Sequence, residues 1–114
     1  MARNNLLLES PPYIVKSKVE LLGSNLRTAR LRRNLTIQDV ATKIGVGVRA
    51  VRDAESGKIS TSIGIYIALL WLYDLICEVD SLADPLSDEV GLKLDELKKP
   101  QRAHHIKRRM DNDF

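Results

Sequence analysis

Thr36-Ile37-Gln38-Asp39-Val40-Ala41-Thr42-Lys43-Ile44-Gly45-Val46-Gly47-Val48-Arg49-Ala50-Val51-Arg52-Asp53-Ala54-Glu55-Ser56 is the stretch whose reading decides the fold. Thr36 stands where a helix N-cap belongs, with Asp39 three residues on, in the spacing of a capping box. Ile37, Val40, Ala41 and Ile44 then fall on one helical face. Gly45 follows, a residue that enters the left-handed region that stops a helix without a steric penalty. Val46-Gly47 makes the connection. A second helix over about Val48 to Ser56 turns Val48, Val51 and Ala54–Glu55 inward and Arg49, Arg52 and Asp53 outward. Ala41 sits where the two helices come closest, and a larger side chain would push them apart.

The flanks read as helix on both sides. Upstream, a helical period starts at Val19, with Leu22, Leu26, Ala29 and Arg33 on one face. Its end is basic through Arg27, Arg30, Arg32 and Arg33, which suits the negative end of the helix dipole. Before it, Ser10-Pro11-Pro12 reads as a breaker and Tyr13-Ile14-Val15 as a short extended run, so residues 1–18 are expected to form an N-terminal arm. Downstream, Ser62 to Tyr73 reads as a helix with no polar face, which one small core cannot cover on all sides. A fifth helix is expected from about Leu75 to Ala83, ended by Asp84-Pro85. A short last helix follows through Leu97, capped by Ser87. The expected fold class is therefore all-α: a five-helix domain over 19–83, after the arm and before a C-terminal extension over 84–114. Two short helices joined by a tight Gly-containing turn make the helix-turn-helix arrangement.

Composition narrows the function classes. The chain has 114 residues and a net charge of only +3. The distribution is uneven: residues 21–77 carry eight basic and four acidic side chains, residues 78–97 one and seven, and residues 98–109 six and none. A basic body, an acidic segment and a basic tail follow one another. The single cysteine, Cys77, cannot form an intrachain disulfide and reads as a buried structural thiol. No start of secretory type and no apolar run of membrane-spanning length is present, so no membrane association and a cytoplasmic location are expected. No Ser/His/Asp set, carboxylate pair, phosphate-cradling Gly loop or metal-ligand cluster suggests an enzyme, and no cofactor is expected. His104-His105 lacks a third ligand at usual spacing and reads as part of a solvated tail.

Leu35 through Val46, and Val51 through Glu55-Ser56-Gly57-Lys58, resemble the Xre/Cro class of phage-repressor-like helix-turn-helix proteins. The resemblance covers roughly Leu21 to Leu82. It implies a compact five-helix domain whose third helix enters the major groove of operator DNA, usually as a dimer. On this resemblance the base-reading face is Gly47, Val48, Arg49, Arg52 and Asp53. A guanidinium can bond guanine O6 and N7 together, and a valine can touch a thymine methyl. Asp53 has two readings, acceptor for a cytosine amine or a brace for Arg49 one turn away. Phosphate contacts are expected from Thr36, Gln38, Arg33, Lys43 and Lys58. The resemblance also implies an internal ion pair between Arg30 and Glu55. The chain departs from the family in having Ile37 where a glutamine is usual, Gly47 as a cap without a side chain, and Ala54 in place of a large aliphatic. Trp71 is expected to fill the space that Ala54 leaves.

The second half, with apolar Ile65–Tyr73, then Leu82 through Gly91 and the basic Lys98-Lys99-Pro100-Gln101-Arg102 run, is similar to HipB-type antitoxins. That resemblance implies a dimeric repressor of its own operon that also binds a HipA-like kinase toxin. A phage-type or stand-alone regulator without a toxin is the alternative. Ile65, Tyr66, Leu69, Leu70, Trp71 and Tyr73 are expected to form a dimer or partner interface, with burial in the chain's own core as the competing reading. The acidic 78–97 segment is expected to face away from DNA or to lie against a basic partner. The 98–109 run reads as a DNA-backbone arm, a toxin-binding segment or a solvated tail.

Overall fold

A computed structural model describes residues 5–98. Its elements are α1 (Leu6–Glu9), α2 (Tyr13–Arg32), α3 (Ile37–Ile44), α4 (Val48–Glu55), α5 (Ile63–Leu72), a 3-10 helix (Ile76–Ser81) and a last helix, α6 (89–98). There is no strand among the described residues. The chain divides into two compact units between Val79 and Asp80. The basic run beyond Lys98, with His104-His105, lies outside the described residues.

The first unit is built on α2, α3, α4 and α5. Its core is Leu26, Ala29, Val40, Ala41, Val51, Ala54, Tyr66, Leu69 and Tyr73. Burying each of the larger aliphatic side chains contributes about 1.5–3 kcal/mol. The long α2 lies against α4 at very short range. A Cβ on Gly23 would run into the Ala54 carbonyl and stand 2.7 Å from that of Glu55. A Cβ on Gly57 would stand 2.5 Å from the Glu20 Cα, and Gly57 also has φ +73. Two glycines therefore let the backbones touch, one in mid-helix and one in the turn after α4.

Three expectations change at the flanks. The 1–18 stretch is not wholly an arm, because α2 begins at Tyr13. Pro12 is its N-cap, with φ −54, and the Lys16 N–H donates to the Pro12 carbonyl at 3.1 Å. At a helix start a proline has no helical N–H to lose and its φ is already suitable, so Pro11-Pro12 opens this helix instead of preventing it. The expected fifth helix is a 3-10 helix over Ile76–Ser81. Leu82, near the end of that expected helix, is 68% exposed. Without a packed stripe little favours the α form, since packing supplies most helix stability. In the second unit the cap of α6 is Asp88, not Ser87: the Asp88 carboxylate accepts from the Gly91 N–H at 2.9 Å.

Candidate nucleic-acid interface

The interface is assembled from α3, the turn and α4. Thr36 Oγ1 accepts from the Asp39 N–H at 3.0 Å, and Asp39 Oδ2 accepts from the Thr36 N–H at 2.9 Å. The Thr36 N–H, and after it the Thr36 hydroxyl, hold the Asp39 carboxyl below its ordinary range, because hydrogen bonds donated to it favour the charged form. Gly45 ends α3 at φ 75, and the Val46 N–H returns to the Ala41 carbonyl at 3.0 Å. Gly47 then opens α4 without a side-chain hydrogen bond. Val40, Ala41 and Val51 fill the wedge between the helices and are buried.

The orientation of this pair is locked from behind. Arg30 Nε donates to Glu55 Oε2 at 2.7 Å and Nη2 donates to Oε1 at 3.1 Å. Arg30 Nη1 donates to the Leu35 carbonyl at 2.9 Å, which ties the start of the α2–α3 turn into the same group. The two side chains are only 9% and 5% exposed. The Glu55 hydrogen bond raises the Arg30 pKa against the opposing effect of burial. The end of α2 is thus bolted to the end of α4.

With α4 so placed, Gly47, Arg49 and Arg52 are exposed and Val48 and Asp53 are half-buried. Arg52 and Val48 line one cleft with Thr36, Ile37 and Gln38, so base-reading and phosphate-contacting candidates share a surface. Gln38 is exposed, and its Nε2 donates to Thr42 Oγ1 at 3.2 Å. Lys43 is exposed in the last turn of α3. Asp53 takes neither a brace role toward Arg49 nor an isolated position: its carboxylate faces Lys58 Nζ at 3.8 Å. An exposed pair at that distance is worth little and leaves Lys58 able to turn to another anion.

Arg33 stands apart from this surface. Nη1 donates to the Ala29 carbonyl at 2.9 Å and Nη2 to the Tyr73 carbonyl at 2.8 Å, with the guanidinium carbon 5.4 Å from the Tyr73 ring centre. Two of its N–H donors thus close the end of α5, while the residue stays exposed.

The apolar face expected of α5 is also revised. Tyr66, Leu69 and Tyr73 are buried in the core, Ile65 and Leu70 are half-buried, and only Trp71 of the six is exposed, at 59%. Trp71 therefore does not fill the space beside Ala54. Tyr73, 1% exposed, is the largest fully buried side chain of that core. Burial raises the pKa of both Tyr66 and Tyr73, since a phenolate would be poorly solvated there. Cys77 is exposed, contrary to the buried thiol expected.

Sequence reasoning overlooked Gly23 and the neighbourhood of Arg27. An isolated glycine inside a helical period was the available signal for Gly23. Among the described residues no group of three or more His, Cys, Asp or Glu could hold a metal ion, and no helix is long and apolar enough to cross a membrane. Comparison with known proteins matches residues 26–73 to the Helix-turn-helix family. No curated protein and no solved structure matches the chain. The matched span runs from core residue Leu26 to core residue Tyr73 and contains the whole capped pair. Over residues 26–73 the chain is thus similar to helix-turn-helix domains, in agreement with the all-α fold and the capped α3–α4 pair.

Proposed function

We propose that the chain is a sequence-specific transcriptional repressor that reads operator DNA as a homodimer with α4 in the major groove. The observation that carries this reading is the exposed pair Arg49 and Arg52 on a helix held by the Arg30–Glu55 bond. Arg49 and Arg52 read bases, with Gly47, Val48 and Asp53 beside them. Thr36, Gln38, Lys43 and Lys58 hold phosphates. Arg33 is given a lesser part in that set, because two of its donors are turned to the Ala29 and Tyr73 carbonyls. Two copies would address half-sites about one helical turn, roughly 34–36 Å, apart.

Enrichment of a random duplex library by the full-length protein tests the reading. A palindromic consensus is expected, and Arg52→Ala should weaken its binding by about 1–3 kcal/mol while relaxing one base position. Unchanged affinity and preference would sink the proposed orientation of α4.

The finer reading, an antitoxin that represses its own operon and captures a HipA-like kinase toxin, is favoured by a separate observation. In the second unit Leu86, Val90, Leu92, Leu94 and Leu97 are exposed among the described residues, with acidic side chains interspersed in the sequence. Co-purification from the native operon tests it, with truncation after Asp84 as control. A kinase partner lost on truncation supports the antitoxin reading, and recovery of the chain alone favours a stand-alone regulator.

A further inference from the structure

Arg27 lies inside the matched domain yet outside its two-helix motif. It is exposed on α2 and lines a shallow cleft with Ile37, Arg52, Glu55 and Ser56. The one carboxylate there, Glu55, has both oxygens engaged by Arg30. The Ser56 hydroxyl donates to the Asp53 carbonyl at 3.0 Å. No carboxylate among the described residues lies within ion-pair distance of Arg27 or Arg52. Two uncompensated guanidiniums therefore border one cleft, an arrangement that brings the fold no attraction and would bring a bound anion a good deal. Ile37, at the first position of α3, has no side-chain donor, so an anion on this edge must be held from neighbouring helices. Arg52 also lines the adjoining cleft with Thr36, Gln38 and Val48. The two clefts form one strip through Arg52 and Ile37, and Arg27 continues it onto α2.

We propose that Arg27 is a ligand for a DNA backbone phosphate, extending the interface from the helix-turn-helix motif onto α2. The cleft is open and shallow, which suits the edge of a polyanion better than an enclosed small molecule. This inference rests on the DNA-binding reading. Arg27 positions the protein on the duplex and reads no base, whereas Arg52, shared by both clefts, does the reading.

The test uses the full chain and a mixed-sequence duplex, with affinity measured across a salt series. Arg27→Ala should reduce the slope of log K against log salt by about 0.9, the value of one lost phosphate contact. The loss should be uniform across sequences, with the thermal midpoint unchanged, and Arg27→Lys should retain the slope. A wild-type slope in Arg27→Ala, beside normal salt-dependent binding by the parent, overturns the Arg27 assignment alone. A relaxed base preference in Arg27→Ala overturns it too, by making Arg27 a base reader. Tight binding of inorganic phosphate to the parent, lost in Arg27→Ala, would mark a free-anion site and also overturn it. Failure of the parent to bind any duplex at low salt overturns this inference together with the DNA-binding reading.

Discussion

Replacing Arg30 by alanine removes the guanidinium that joins α2 to α4. Three hydrogen bonds go with it, two to Glu55 and one to the Leu35 carbonyl. More serious is what remains. The Glu55 side chain is 5% exposed, and its charge would stay buried with no partner. Removing one member of a buried pair costs about 3–5 kcal/mol, mostly through that stranded charge. For a domain of this size the thermal midpoint should fall by roughly 12–40 °C, at 4–8 °C per kcal/mol. Arg30→Met combined with Glu55→Leu removes both charges and should lose much less, because neither ion is then left behind. Thermal and urea unfolding of the parent, Arg30→Met, Glu55→Leu and the double give the coupling energy. The reasoning fails if Arg30→Ala costs less than about 1 kcal/mol, the range of a solvated pair. It fails equally if the double variant loses the sum of the singles, because the two side chains would then act independently.

Other expected outcomes follow from the same contacts. Thr36→Ala should lower stability by about 1 kcal/mol through loss of the cap on α3, measured by urea unfolding. Asp39 has a depressed pKa in the fold, so its contribution is present above the ordinary aspartate range near 3.9 and is lost as pH falls through the lower folded value. The acid limb of a stability–pH curve should therefore shrink in Asp39→Asn. Gly45→Ala meets nothing within 4 Å and should cost only the left-handed backbone penalty, about 1–2 kcal/mol, whereas Gly57→Ala adds a collision with α2 and should cost clearly more. Equal losses at the two glycines would argue against the close approach of α2 and α4. The Tyr73 hydroxyl is buried with no hydrogen-bond partner among the described residues, so Tyr73→Phe should be within about 0.5 kcal/mol of neutral or stabilising at pH 7. Because burial raises the Tyr66 and Tyr73 pKa values, stability should be full below about pH 10 and fall as pH rises above it, less steeply in Tyr73→Phe.

Local chemistry explains which parts were legible. The Thr36–Asp39 capping box and the left-handed Gly45 are both decided within four residues of chain, so residue type and spacing suffice to read them. The start of α2 was misread because Pro11-Pro12 breaks a helix interior but opens a helix start, and residue type alone does not say which position a proline occupies. The row Ile65, Tyr66, Leu69, Leu70, Trp71 and Tyr73 was equally ambiguous. An all-apolar helix carries no period that marks its buried side, and here the core takes Tyr66, Leu69 and Tyr73 and leaves Trp71 out.

The sequence by itself determined the helix-turn-helix pair and the caps of α3, because hydrophobic period and capping act over a few residues. It also determined which cations α4 carries outward, since Arg49 and Arg52 oppose Val51 and Ala54 around a 3.6-residue turn. Only the tertiary structure decided which of those cations are free. Arg33 and Arg30 come from the same basic run as Arg27, yet Arg33 is held by carbonyls, Arg30 by Glu55, and Arg27 by nothing among the described residues. That difference depends on partners up to forty residues away in the chain. Such distances are set by packing, and packing is where the helix end, the buried carboxylate and the open cleft are assigned to one arginine or another.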